Sequence, residues 1–261
     1  MTLVWASGYN GITDPDAQTY IAAVEAADSQ ALEGDVALAI NDFVVGCKDD
    51  GIWDAIKASC ILAGARTLSG ALVPLKGTAP TNYNFVAGDY NRETGLVGDG
   101  STKYLDSNRN NNADPQNSKH LAVYMSTHAV RDGTTRATLA AGSSTAGASG
   151  LLTTSSTRYY RANYTSNPGT GRNDSATTPG FWGVTRQLAS QATGRYGGSS
   201  RTITDTSTTP LNGNLHVFAR NTGADYSDAR LSFYSIGENI DLALLDNRVS
   251  TLMTDIGAAI P

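Results

Sequence analysis

Cysteine is nearly missing from this chain: its 261 residues hold only Cys47 and Cys60. That excludes a disulfide scaffold and a Cys-ligated zinc module as the source of the fold, and both thiols read as reduced and buried. Histidine is equally scarce, with His120, His128 and His216 at no metal-ligand spacing. Charge is thin, at 16% Asp, Glu, Lys and Arg against about 25% in an average domain, and its balance is −5. Without a basic field there is no counterion-release route to DNA or RNA, so nucleic acid is not an expected partner. No apolar run approaches the roughly 18 residues of a membrane span. The opening Met-Thr-Leu-Val-Trp-Ala-Ser-Gly lacks both the basic and the apolar stretch of a secretory signal. The expectation is a chain that folds where it is made, with no membrane insertion.

What takes the place of charge is glycine, at 27 residues, together with Ser, Thr and Asn. Such a composition suits many short strands joined by polar turns. The charge is also uneven. Residues 1–65 carry ten acidic and two basic groups, a balance of −8, which leaves +3 for the remainder. A solvated acidic helix face accounts for the first region most simply.

The acidic stretch reads as helices. Asp14 before Pro15 forms an N-cap with proline at the first helical position, and Ala17, Tyr20, Ile21, Val24 and Ala27 follow at helical spacing. A second stripe uses Val36, Ile40, Phe43, Val44 and Cys47. Ile52, Trp53, Ile56, Cys60 and Ala63 predict a third helix, capped by Gly64. After Pro74 the period shortens. Leu121, Val123 and Met125 share one face of a strand over 120–126. Further strands are predicted over 138–141, 151–154, 157–164, 181–185, 201–204, 215–219 and 229–236. Strands this short and closely spaced form two packed antiparallel sheets or a jelly roll. Ser107–Pro115, crowded with Asn, reads as a long loop. Leu242, Leu245, Val249, Leu252, Met253 and Ile256 predict a last helix over 240–257, ended by Gly257. The chain therefore divides into an N-terminal helical segment, 1–75, and a β-sandwich with its C-terminal helix, 76–261.

Three segments carry a resemblance: Phe43–Ala65 (FVVGCKDDGIWDAIKASCILAGA), Asp89–Asn112 (DYNRETGLVGDGSTKYLDSNRNNN) and Ala229–Ala259 (ARLSFYSIGENIDLALLDNRVSTLMTDIGAA). They resemble a group of tailed-bacteriophage virion proteins, and the likeness fades through roughly 129–210. The resemblance implies a mainly β chain with a concanavalin A-like or laminin G-like jelly roll. It further implies a structural virion protein, an exposed appendage on the head (decoration or fibre) or at the tail tip or fibre, docked by its helical segment. Its partners would be other virion proteins and further copies of itself, a trimer suiting an appendage, and its location would be the virion, assembled in the host cytoplasm.

Catalytic chemistry finds little support. Glycan hydrolysis needs two nearby carboxylates, and the only glutamates of the sandwich, Glu93 and Glu238, have no partner on a shared strand face. A lyase needs a base beside a substrate-neutralising Arg; Thr157-Arg158-Tyr159-Tyr160-Arg161 has both residue types, though alternating Arg and Tyr equally serve cross-strand packing. Gly142-Ser143-Ser144-Thr145-Ala146-Gly147 lacks the spacing of a nucleophile elbow. The expectation is a non-enzyme with no cofactor. Two binding sites are weighed instead. Planar aromatics and guanidinium groups recognise sugars, and Tyr159, Tyr160, Arg161, Trp182 and Tyr196, near Arg158, Arg172 and Arg195, form a candidate site for host cell-surface polysaccharide. Core packing is the competing assignment for those aromatics. Asp99, Asp106, Asn108 and Asp114 offer oxygens for calcium, against their use in Asx turns. Three functions stay open: the structural appendage first, a receptor-binding lectin-like module as the alternative, and a polysaccharide-degrading enzyme last.

Overall fold

The computed structural model describes residues 11–142, 145–165, 171–173 and 176–261, with the backbone alone over 171–173. The amino-terminal Met1–Gly8, the serines Ser143 and Ser144, and the Arg172 side chain lie outside the described residues.

The chain is mainly β, with two antiparallel sheets between an N-terminal helical segment and a C-terminal helix. Among the described residues the helices are α1 (Pro15–Asp28), α2 (Gly34–Asp49), the single turn α3 (Leu68–Ala71) and α4 (Leu242–Ala259). None is long and apolar enough to cross a membrane. Sheet I contains β1 (Ile56–Ile61), β3 (Tyr90–Asn91), β4 (Gly95–Val97), β6 (Lys119–Thr127), β11 (Gly180–Leu188), β12 (Gln191–Tyr196), β13 (Ser199–Thr204) and β15 (Arg230–Gly237). Its order is β13-β12-β11-β6-β15-β4-β3, with β1 also pairing β15. Sheet II contains β2 (Thr81–Tyr83), β5 (Tyr104–Asn110), β7 (Arg136–Ala141), β8 (Ser149–Thr153), β9 (Thr157–Arg161), β10 (Gly171–Asn173) and β14 (Asn214–Val217), in the order β10-β9-β8-β7-β14-β5-β2.

Local chemistry explains the helices. Asp14 accepts from the Asp16 and Ala17 amides ahead of Pro15, and Asp241 caps α4 in the same way through Ala243 and Leu244. The stripes of α1, α2 and α4 are buried together with Ile61, Phe181 and Phe233 from sheet I. Phe43 meets Phe233 edge to face at 5.8 Å. Gly46 lets α4 come close, because a Cβ there would lie 2.6 Å from the Arg248 guanidinium. That Arg holds Asp50 through two bonds, at 2.7 and 2.9 Å. The excess negative charge of the first region is thus met in part from outside it: Glu33 pairs with Arg66 and Arg92, and Asp50 with Arg248.

Two elements depart from the sequence expectation. The third helix is absent: Trp53–Ala55 make a short 3-10 turn, and Ile56–Ile61 form a strand paired to β15. This strand is buried on both faces, Cys60 and Leu62 inside the sandwich and Ile61 and Ala63 toward the helices, and continuous burial leaves no period to separate strand from helix. The supposed loop at Ser107–Pro115 begins as β5, whose Asn108 takes a positive φ of 54°. Asn tolerates that conformation within a strand edge, and its abundance imitated a loop. The C-terminal helix runs through Gly257 to Ala259. Both cysteines are free and buried, Cys47 on α2 and Cys60 on β1, their thiols pushed up to about 12 by burial.

Candidate functional site

Sheet register sorts the aromatic and charged residues onto two faces. On sheet II, Tyr160, Leu151, Leu139, Val217 and Leu105 oppose one another in one row across β9, β8, β7, β14 and β5, and all are buried inside the sandwich. One residue along, the outer row reads Arg161, Gly150, Ala140, His216, Asp106 and Thr81. This outer face carries the polar and aromatic chemistry. The alternation follows from the two-residue repeat of a strand.

At the β2 edge the outer face bears a stack of rings. Tyr83 and Tyr104 are cross-strand partners, parallel at 4.4 Å, and His216 stacks on the other side of Tyr104 at 4.7 Å. Tyr226 leans on Tyr104 at 6.2 Å. Tyr83 is 40% exposed, among the most exposed large apolar side chains described. Burial pushes the His216 pKa down, opposed by Asp106 at 3.7 Å, which favours the neutral form of the ring in the stack.

At the β9 side lies a cleft of about 260 Å³. Its floor is Leu152 and Tyr159, which pack with Ala137 and Ala140. Thr135 and Thr154 add hydroxyls to the wall, and the loop after β14 adds Arg220 and Asp225, joined by a 3.1 Å ion pair. Phe218 and Asp225, non-glycine residues at φ 70° and 54°, bracket that loop, a conformation side chains adopt at a cost when the fold demands it. Arg161 stands between tyrosines, its guanidinium 4.9 Å from the Tyr159 ring and 4.7 Å from that of Tyr164. Its Nε is sealed from solvent without a hydrogen-bond partner, as is that of Arg220. Burial pushes the Arg161 pKa down, yet not far enough to discharge a guanidinium. A wider groove of about 410 Å³ lies where β11, β12 and α4 meet, walled by Gln187, Gln191, Thr193 and Ser200. It has neither an aromatic face nor a cation.

The structure brings together two of the five residues weighed for glycan binding. Tyr159 and Arg161 line the cleft; Tyr160, Trp182 and Tyr196 do not reach the surface. Tyr160 and Trp182 are 0% exposed and meet edge to face at 6.0 Å in the sandwich core. Gly194 on β12 admits that packing, since a Cβ there would lie 2.5 Å from the Tyr160 ring. Tyr196 donates to the Thr178 carbonyl at 2.7 Å from a buried position. These aromatics belong to the core because the inward positions of β9, β11 and β12 demand large apolar groups.

The four oxygens weighed for calcium do not converge. Asp99 accepts from the Ser101, Thr102 and Lys103 amides and the Thr102 hydroxyl, which holds its pKa well below the usual carboxylate range. Asp106 accepts from the Asn108 amide and the Asn214 side chain, and Asn108 donates to the Ala79 carbonyl. Asp114 is buried against Arg109 and Lys119, whose ammonium is pushed down to about 8 by burial. Among the described residues no group of three or more His, Cys, Asp or Glu side chains is placed to hold a metal.

Two constellations carry catalytic residue types in closed surroundings. His128 Nε2 lies 3.0 Å from the Tyr196 hydroxyl and 2.8 Å from Arg158, which packs on the Tyr196 ring. Arg158 is 0% exposed and donates to the Ala176 carbonyl, so it braces the sandwich end. His120 bonds the Ser235 hydroxyl at 2.7 Å and the Glu238 carbonyl at 2.6 Å, fully buried, and burial pushes its pKa down to about 4. The pair ties β6 to β15.

Sequence reasoning missed Tyr83, Tyr104, His216, Arg220 and Asp225. The strand alternation that placed Leu121 would have placed Tyr104, had the Asn-rich stretch been read as a strand. Arg220 and Asp225 sit on a loop and carry no periodic signal.

Comparison with solved structures agrees with the fold. The binding domain of botulinum neurotoxin serotype D superposes with a TM-score of 0.53 at 8% identity, over 76% of this chain and 51% of that one. A structure of botulinum neurotoxin type C, whose cell entry depends on interaction with two ganglioside molecules, gives 0.52 at 10%, over 78% and 51%. The botulinum neurotoxin DC binding domain in complex with SialylT gives 0.52 at 12%, over 78% and 52%. This chain spans about half the length of those structures, and the likeness is one of fold. No protein-family model and no curated protein sequence matches the chain.

Proposed function

We propose that this chain is a non-catalytic recognition module that binds a cell-surface glycan on the outer face of sheet II. The observation that carries the reading is the parallel Tyr83–Tyr104 pair, partly exposed on the same face as the Arg161 cleft. Sugar rings present apolar C–H faces that stack on tyrosine, while their hydroxyls take hydrogen bonds from guanidinium and threonine groups. The likeness to binding domains of toxins, one of which engages gangliosides, supports the reading at the level of the fold. The test is retention of the protein on immobilised host polysaccharide, compared with Tyr83→Ala and Tyr159→Ala. Loss of retention in both with an unmoved thermal transition is the expected result; full retention in both overturns the reading.

The setting we propose for such a module is an exposed appendage of a tailed-phage virion, on head or tail, docked through its helices. Support comes from the three resembling sequence segments and from the arrangement of layers: α1, α2 and α4 occupy one side of the sandwich, opposite the outer face of sheet II. Gold-labelled antibody imaging of particles tests this. Absence of label from intact virions removes the setting and leaves the glycan reading standing.

A further inference from the structure

Resting on that reading, we infer that the cleft beside β9 selects an acidic sugar by taking its anionic group between Arg161 and Arg220. Three observations lead there. Two guanidinium groups face one small cleft, and a single carboxylate, Asp225, is paired to one of them, so the site carries one uncompensated positive charge. That charge belongs to Arg161, which has no hydrogen bond or ion pair among the described residues. Buried and half-buried arginines elsewhere in the fold donate to a carboxylate, as Arg186 does to Asp205, Arg195 to Asp246 and Arg92 to Glu33.

A cation held between two tyrosine rings, with its Nε closed to water, lacks the bonds that normally offset its desolvation. Ring faces compensate part of the charge but accept no N–H bond of ordinary strength. A bound carboxylate or sulfate ester supplies acceptors to the two terminal nitrogens of Arg161, which unlike Nε are not sealed, the planar fork of Arg favouring two parallel bonds to one anionic group. The remaining parts suit a sugar that carries such a group. Tyr159 offers a ring face on the cleft floor, and Thr135 and Thr154 offer hydroxyls at its wall. The volume, about 260 Å³, falls below the usual range for a drug-sized ligand, which limits the occupant to one sugar residue or its charged substituent. Net charge of one selects a monoanion over a polyphosphate.

The experiment is an NMR titration of the arginine Nε–Hε signals of the whole chain with glucuronate, with its methyl ester and with glucose 6-sulfate. Arg195, already engaged by Asp246, serves as the internal control for non-specific ionic effects. Saturable shifts of Arg161 and Arg220 with glucuronate or the sulfate, at concentrations that leave Arg195 unmoved, are expected. The ester should bind about tenfold more weakly or not at all. Whichever acid binds more tightly identifies the anionic group. Arg161→Gln should abolish saturation while Arg161→Lys retains part of it, both with a wild-type thermal transition. Equal affinity for acid and ester overturns the anion requirement yet leaves the glycan face intact. Shifts of Arg161 no larger than those of Arg195 overturn the site. If retention on polysaccharide survives that result, the glycan reading stands without it.

Discussion

The two sheets share one architecture and differ in what their outer rows carry. In sheet I the outer row runs Phe181, Tyr124, Phe233 and Ile61 across β11, β6, β15 and β1, and three helices cover it. In sheet II the corresponding row holds Arg161, His216, Asp106 and Thr81, with tyrosines beside it and, among the described residues, no helix above. Their inner rows are alike, Trp182, Val123, Tyr234 and Cys60 facing Tyr160, Leu151 and Leu139. The difference teaches how one sandwich uses its two outer faces: one is spent on a second core, and the other keeps polar and aromatic side chains at the surface.

Substitutions break or sharpen that contrast. The largest effect belongs to the buried rows: Trp182→Ala or Phe233→Ala should cost about 3–5 kcal/mol and lower the melting temperature by about 10 °C or more, read by calorimetry. A wild-type melting temperature for Phe233→Ala would show that the helical layer is not part of the core. Next comes acid. The His120 pKa is about 4 in the fold against an ordinary 6.5, so between those values the unfolded chain takes up a proton that the folded chain refuses. Stability from this group is complete above pH 6.5 and falls as the pH drops toward 4, by on the order of 3 kcal/mol. Urea midpoints at pH 7 and 4.5 should converge for His120→Gln relative to wild type; parallel losses would remove His120 from the acid response. On the open face, Tyr83→Ala and Tyr159→Ala should each change stability by under about 1 kcal/mol, so that any loss of ligand retention is read as binding. The smallest effect is expected from calcium. Its addition, or chelation, should leave the melting temperature unmoved, because Asp99, Asp106 and Asp114 are already occupied by amides or cations; a calcium-dependent shift would reopen those positions.

How much of this was legible in the sequence varies with the source of each signal. The helical stripes and strand β6 were readable because one side of each is apolar at a fixed period. Strand β1 was not, since its apolar residues, with Ile52 and Trp53 before them, fit a helical period as well as a strand buried on both faces. Within the candidate site, Tyr159 and Arg161 could be found because an Arg-Tyr alternation marks a strand, but the pattern alone does not say which parity faces outward. Register against β8 decides that, placing Tyr160 inside and its two neighbours outside. Asn-rich composition concealed β5 and with it Tyr104. Arg220 and Asp225 come together only when the loop after β14 folds back.

Strand β15 pairs with β6 along one edge and with both β1 and β4 along the other. Cys60 and its partner Tyr234 stand 174 positions apart. Until the ribosome has delivered β15, β1 has no neighbour in sheet I, and α1 and α2 have only an incomplete surface on which to settle. Loop closure over such a distance is slow, and the waiting apolar segments are open to aggregation. Residues 230–237 are therefore the piece that joins residues 56–61, 95–97 and 119–127 into one cooperative sheet.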